Sequence, residues 1–294
     1  MYMKSVLSPV QPFHFQECLR FLNRNTDEPV WKVDGQRLLK LFTLGEKSIV
    51  GEIFEEGGAV YVTFSDTLEE EELDLLVSYT SEWLDMERDL QPFYEQMSAC
   101  PLVGPIVPKY PGMRLIRMPD LFEAISWAIL GQQINLTFAY RLKQRITHEW
   151  GASREYDGHT LYAFPDPAVI AELKPEVMRP MQVSQRKAEY IIGVAKEISS
   201  GNLTKEKLLT SENPVGDMVA IRGVGKWTAE YVLMKCLGYT NGFPIQDVGL
   251  HNAIKKQLDM DRKPTYEEIE EYAKLWTGWE GYATFYLWRS LGKD

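Results

Sequence analysis

Cysteine is scarce in this chain of 294 residues. Cys18, Cys100 and Cys236 are odd in number and far apart in sequence. They exclude a disulfide framework, a four-cysteine iron–sulfur cluster and a cysteine zinc site, and the simplest setting for them is a reducing cytoplasm. Histidine is nearly as rare. His14, His148, His159 and His251 show no HxxxH or HExxH spacing, so no catalytic metal is expected. Walker A and GxGxxG phosphate cradles are missing as well. No apolar run approaches the ~20 residues of a membrane span. One early Lys followed by Pro9 and Pro12 does not make a signal peptide. Net positive charge is also lacking: the formal charge is −10, which by itself argues against a nucleic-acid partner. Its distribution weakens that objection. Residues 1–110 hold 9 Lys and Arg against 19 Asp and Glu, whereas residues 111–294 hold 23 of each. A DNA surface would then be a local patch on a neutral region, with modest nonspecific affinity.

What is present is an ordinary globular composition, 45% hydrophobic and 25% charged, with length enough for two or three domains. Residues 31–64 alternate like short strands. Leu39, Leu41 and Thr43 fall on one face, Val60, Val62 and Phe64 on another, and Glu56-Gly57-Gly58 makes a turn between two runs. A helix over 15–22 is expected to pack on this sheet. A longer acidic helix is predicted over 67–90, and Pro101, Pro105, Pro108 and Pro111 mark an irregular linker after it. Helices follow from 120 onward. Asp120 and Glu123, and again Thr265 and Glu268, have capping-box spacing. Further helices are predicted over 185–199, 248–257, 265–276 and 282–291.

The densest signal lies between residues 221 and 250. Arg222-Gly223-Val224-Gly225 reads as a tight reversal, since glycine takes positive φ without a Cβ clash. A helix over 215–221 enters it and one over 226–237 leaves it, with Ala229, Val232, Leu233 and Cys236 on one face. Backbone N–H groups at such a helix start suit a phosphate. Twenty-two residues after Gly225 comes Asp247, an acid among Phe243, Ile245, Val248 and Leu250. A carboxylate in apolar company is costly unless it is solvated, paired or used.

These residues resemble the helix-hairpin-helix DNA glycosylases, most closely the AlkA-type 3-methyladenine DNA glycosylase II branch. Gly223, Val224 and Gly225 match its hairpin, Trp227, Thr228, Ala229 and Tyr231 its GxGxWTAxY run, and Asp247 its essential acid. The likeness continues at 128–132, 186–189 and 282–288. It implies an α+β fold: a small N-terminal antiparallel sheet domain over 1–66, then a mostly helical, two-lobed core. One lobe spans 113–234 and carries the helix-hairpin-helix. The other is built from 67–112 and 235–294 and carries Asp247.

The resemblance implies a monofunctional N-glycosylase of base excision repair. It flips alkylated bases out of double-stranded DNA and hydrolyses the N-glycosidic bond, as a monomer in the cytoplasm, on the nucleoid if the source is bacterial. Asp247 would stabilise the oxocarbenium charge that builds on the sugar or activate water, besides capping the next helix. Trp227 stands where bifunctional relatives carry a Schiff-base lysine, and Lys226 is one position early, about 100° around the helix. Trp288, Trp227, Tyr231, Phe122 and Trp127 are candidate pocket walls, since an aromatic cage favours cationic alkylated purines. Gly223, Val224, Gly225, Lys226 and Thr228 would meet DNA. The side chain that fills the vacated stack falls at Gln133, a leucine in that branch, or at its apolar neighbour Ile134. No organic cofactor is implied, but related hairpins hold Na+ or K+ on backbone carbonyls, here those of Val219, Ile221 and Val224. The alternatives are a glycosylase for oxidised or deaminated bases and a noncatalytic lesion-binding protein.

Overall fold

A computed structural model describes residues 3–25 and 27–292. The chain begins with strand β1 (Met3–Leu7) and helix α1 (Phe15–Leu22), then β2 (Lys32–Asp34), β3 (Arg37–Leu44), β4 (Lys47–Glu56) and β5 (Ala59–Phe64). The sheet is antiparallel in the order β1-β5-β4-β3-β2. Period-two alternation sends Leu38, Phe42, Ile53, Val62 and Phe64 into the main core, which also holds the α1 residues Phe15 and Leu19. The opposite face carries Leu39, Leu41 and Val50, and it is covered as well. Its cover is a hairpin the alternation does not foretell, β6 (Ser153–Tyr156) and β7 (His159–Tyr162), which brings up Leu161 and Ala163. β1 also escapes sequence reading, since its partner β5 lies more than fifty residues away.

Helix α2 is Glu70–Trp83, shorter than the predicted 67–90. It stops because Asp85 takes a left-handed φ of 47° and turns its carboxylate toward Arg88 and the buried Tyr282 hydroxyl. α3 (Gln91–Met97) follows, and its Phe93 is packed within 6 Å of the rings of Trp279, Tyr282 and Tyr286. The proline-rich stretch is irregular as expected, apart from one 3-10 turn at Val107–Lys109. It is no free linker, because Leu102, Val103 and Ile106 are fully buried.

The helical region runs α4 (Leu121–Gly131), α5 (Leu136–Trp150), α6 (Pro167–Ala171), α7 (Gln185–Ser199), α8 (Lys205–Thr210), α9 (Pro214–Val219), α10 (Lys226–Lys235), α11 (Val248–Gln257), α12 (Tyr266–Ala273) and α13 (Glu280–Arg289). Side-chain caps start most of them: Asp120, Asn135, Ser184, Asn213, Asp247 and Thr265 each accept an amide of the first turn. The Thr265–Glu268 box forms. The one expected at Asp120 forms only by half: Asp120 accepts the Glu123 amide, but the Glu123 carboxylate turns inward to Lys143, 2.8 Å away. Glu28, from the segment between α1 and β2, meets the same ammonium at 2.6 Å. This triad is buried and joins the sheet region to α4 and α5. Among the described residues no helix is long and apolar enough to cross a membrane.

Candidate active site

The hairpin is built from α9, the six residues 220–225 and α10. The Val224 amide donates to Ile221 O at 3.0 Å and closes the turn. Gly223 takes φ +97°, and a Cβ there would fall 2.2 Å from Tyr190, which packs beneath it from α7. Gly225 is different. It is the extended N-cap of α10 (φ −89°), and a Cβ on it would meet open space. Only one of the two glycines therefore uses left-handed freedom. Val224 is buried and its amide is engaged, so its part in the hairpin is an anchor. The amides that begin α10, from Gly225 and Lys226 onward, have no acceptor within the helix. The Lys226 side chain is exposed beside them. Thr228 is corrected from a DNA contact to a buried partner. It is 1% exposed and its hydroxyl meets the Gln132 side-chain amide at 3.2 Å.

From α10 the chain turns back through Gly238 (φ +76°). Glu230 accepts the Phe243 amide at 3.0 Å and so holds the segment that delivers Asp247 to the start of α11. Asp247 Oδ1 accepts the Leu250 amide at 2.9 Å as a helix cap. The same oxygen accepts the indole N–H of Trp288 at 2.9 Å. Oδ2 accepts the indole N–H of Trp227 at 3.3 Å. Two tryptophans, one 20 residues before Asp247 on α10 and one 41 residues after it on α13, thus grip one half-buried carboxylate. Tyr231, one turn along α10, stacks on Trp227 (5.6 Å, 29°) and lies 6.2 Å from the Trp288 ring. Burial pushes its phenol far above the ordinary range, so it is neutral at any physiological pH. Its oxygen takes a hydrogen bond from Trp127 Nε1 at 2.9 Å.

Trp227, Tyr231, Trp288 and Asp247 are therefore brought together. Trp127 is as buried as Tyr231, 7% exposed, but it packs on Tyr140 and reaches this group through its hydrogen bond to Tyr231, so it supports Tyr231. Phe122 is displaced further. It is 2% exposed and pairs with Phe164 at 5.6 Å, which corrects its assignment as a wall. Sequence reasoning missed Gly249. A Cβ there would lie 2.9 Å from Asp247 Oδ1 and 3.1 Å from the Trp288 indole, so glycine is what lets the two groups meet. The only sequence signal was a glycine in the first turn of a helix, where it costs stability.

The α4–α5 loop lies beside the hairpin. Gln133 is exposed there in a left-handed conformation (φ +58°). Ile134 is half-buried and packs on the core, which corrects it as a candidate for insertion. Leu136, read from the sequence as core together with the stretch to Ala139, is instead 56% exposed at the start of α5, an apolar side chain on the same loop. On the other flank Arg186 donates to the Tyr190 hydroxyl at 2.8 Å, and Arg222 pairs with Glu189 at 3.2 Å. Arg186 and the Glu189-paired Arg222 thus flank the hairpin on that side.

The hairpin, with a carboxylate fixed by two indoles beside it, defines a helix-hairpin-helix protein. Residues 126–278 match the family model for HhH-GPD superfamily base excision DNA repair proteins. Over 97% of its length the chain is 40% identical to DNA-3-methyladenine glycosylase of Bacillus subtilis, covering 96% of that protein. The chain belongs to the HhH-GPD superfamily. Among solved structures, a 3-methyladenine DNA-glycosylase from Archaeoglobus fulgidus superposes with a TM-score of 0.83 at 23% identity, over 98% of this chain and 97% of that one. An 8-oxoguanine glycosylase/lyase from Clostridium acetobutylicum, in complex with double-stranded DNA, does so at 0.75 and 19% identity, over 98% and 97%. The fold is shared by both, so it does not by itself choose between their chemistries.

Proposed function

We propose that this chain is a monofunctional DNA N-glycosylase that removes alkylated bases of the 3-methyladenine and 7-methylguanine type in base excision repair. The observation that carries the reading is the Asp247 carboxylate held by the indoles of Trp227 and Trp288. Its partner is double-stranded DNA containing a damaged base. The target must leave the stack to reach the acid. Alkylated purines are cationic and electron-poor, so the faces of Trp227, Tyr231 and Trp288 favour them by stacking and cation–π attraction. As the base departs, positive charge builds on the sugar, and a preorganised carboxylate stabilises it without reorganisation. Water completes the substitution, and Asp247 is the group placed to orient it or take its proton.

Trp227 has no amine, so no Schiff base forms at that position and the product is an intact abasic site. The hairpin amides and the start of α10 would hold a phosphate. A monovalent cation on the carbonyls of Val219, Ile221 and Val224 belongs to the same reading. Helix-terminal carbonyls carry partial negative charge, although Ile221 O already takes the Val224 amide. The lobe made of 67–112 and 235–294 is part of it too, supported by Phe93 packed among Trp279, Tyr282 and Tyr286. We place the protein in the cytoplasm, acting as a monomer.

Duplexes carrying 3-methyladenine, 7-methylguanine, hypoxanthine or 8-oxoguanine test the reading through release of free base. Release of the first two is expected. Release of 8-oxoguanine alone would make it a glycosylase for oxidised bases, and binding without release from any duplex would make it a noncatalytic lesion binder.

A further inference from the structure

The α4–α5 loop has to keep its shape while a stacked duplex pushes back on it. Its tip residue Gln133 stands at φ +58°, a conformation that an L side chain holds only when the surroundings impose it. The last carbonyls of α4 have no partner inside the helix. Lys187, projecting from the first turn of α7, supplies one: its ammonium is 2.6 Å from Leu130 O and 2.8 Å from Gln132 O. This lysine is half-buried, and burial alone draws its pKa down, with no charged neighbour contributing. Its task is to hold carbonyls. Gln132 is also tied on its other side. Its side-chain amide donates to Gly223 O at 3.1 Å and meets Thr228 Oγ1 at 3.2 Å. One residue is therefore fastened through its backbone to α7 and through its side chain to the hairpin, immediately before the exposed tip.

We propose that Gln132 and Lys187 are positioning residues that lock the α4–α5 loop to the hairpin, so that phosphate grip and insertion of Gln133 into the base stack act as one rigid unit. The proposal rests on the glycosylase reading for its substrate. Grip at the hairpin fixes where the backbone sits. Insertion must then hold the stack open for as long as the base is in the pocket. A loop free to yield would let the base return, while a braced loop has its ordering cost already met before DNA arrives. Neither residue touches the reacting atoms, so their removal should matter most where the stack is intact.

The test uses Gln132→Met and Lys187→Met, which keep side-chain length and remove the donors. Lys187→Arg should rescue, since a guanidinium can still donate to both carbonyls. Each protein is given 7-methylguanine opposite cytosine and the same base in a one-nucleotide bulge, with 2-aminopurine beside the lesion to report unstacking. On the paired lesion, the methionine variants should lose about tenfold in both the fluorescence change and single-turnover excision, the scale expected for one or two lost hydrogen bonds. On the bulge, where the stack is already broken, they should stay within about threefold of the parent protein. Equal losses on both duplexes would show a general structural role and overturn the proposal, as would parent-like unstacking of the paired lesion. Fluorescence reports insertion without chemistry. A parent protein that unstacks the duplex but releases no base would remove the glycosylase reading and leave the brace standing. Variants that unstack normally remove the brace whatever excision shows.

Discussion

Asp247 meets two demands with one carboxylate. As the N-cap of α11 it satisfies an orphan amide, and with the same oxygen plus its twin it receives the indole N–H groups of Trp288 and Trp227. Three donors from three directions leave the side chain little choice of rotamer, which is the preorganisation that charge stabilisation needs. Asp247→Asn is nearly isosteric and keeps the cap acceptor, so it should retain lesion binding while excision falls by at least about 10²–10³-fold. Single-turnover base release beside equilibrium binding checks this. Gly249→Ala is the subtler probe. A methyl 2.9 Å from Oδ1 and 3.1 Å from the Trp288 indole forces one of them to move. Excision should drop on the order of 10- to 100-fold, because an ångström of misplacement at a reacting centre has that effect. Thermal stability should change little, since alanine is the better helix residue. At Trp227 the expectation is an absence: borohydride should trap no covalent protein–DNA adduct during turnover.

At the scale of the element, the hairpin separates its two glycines by function. Gly223→Ala has to hold φ +97° against the Tyr190 ring, and should cost about 1–3 kcal/mol of stability by strain alone, seen as a lower midpoint of thermal unfolding. Gly225→Glu meets open space and should fold like the parent protein. It puts a carboxylate where the phosphate would sit, so its DNA affinity should fall by more than about tenfold, as expected of like charges brought together. The exposed cations beside the turn are few: Lys226, Arg186 and the Glu189-paired Arg222. Each phosphate met by a cation adds about −0.9 to the slope of log K against log salt, so a slope of about −2 to −4 is expected. Titration of an abasic-analogue duplex at increasing salt measures it. A much steeper slope would place DNA on another surface.

Across the whole molecule, one continuous core runs from Leu7 through the helices to Leu287, and the charged triad of Glu28, Glu123 and Lys143 is embedded in it. Burial opposes the charge on all three groups. For Lys143 the two carboxylates outweigh it and hold the ammonium protonated above its ordinary range. At Glu123 the lysines likewise win, while burial keeps Glu28 above the usual carboxylate value. Lys143→Met would remove the ammonium that both buried acids contact, leaving Glu28 its Val30 amide and Glu123 the charge of Lys40, at a cost of roughly 3–5 kcal/mol. Without the lysine both acids would have folded pKa values raised above their unfolded ones. The folded state then binds the extra protons, and stability falls as pH rises. The deficit of the variant should therefore be largest near neutral pH and shrink toward pH 5, a trend that denaturant unfolding at several pH values would reveal.

Much of this was legible in the sequence, and the legible parts share a short range. A cap speaks to an amide two or three residues on, and a turn glycine to its own φ. So α7, α11 and the Thr265–Glu268 box could be placed within a residue or so, and the hairpin turn could be read from its own glycines, whereas its pairing with the distant Asp247 came from the family resemblance. Alternation placed the strand region over 31–64 and the faces of β3 and β5 for the same reason. What escaped depended on partners far along the chain. β1 needs β5, and β6–β7 needs the far face of the sheet. The broken capping box at Asp120 needs Lys143, and α2 ends where Asp85 finds Tyr282. At the site, sequence named Trp227, Tyr231, Trp288 and Asp247. Only the tertiary structure turned both indole N–H groups onto the carboxylate, tied Trp127 to Tyr231, moved Phe122 into the core and gave Thr228 to Gln132. The reason is that side-chain direction and burial are decided by packing between elements, which no local pattern encodes.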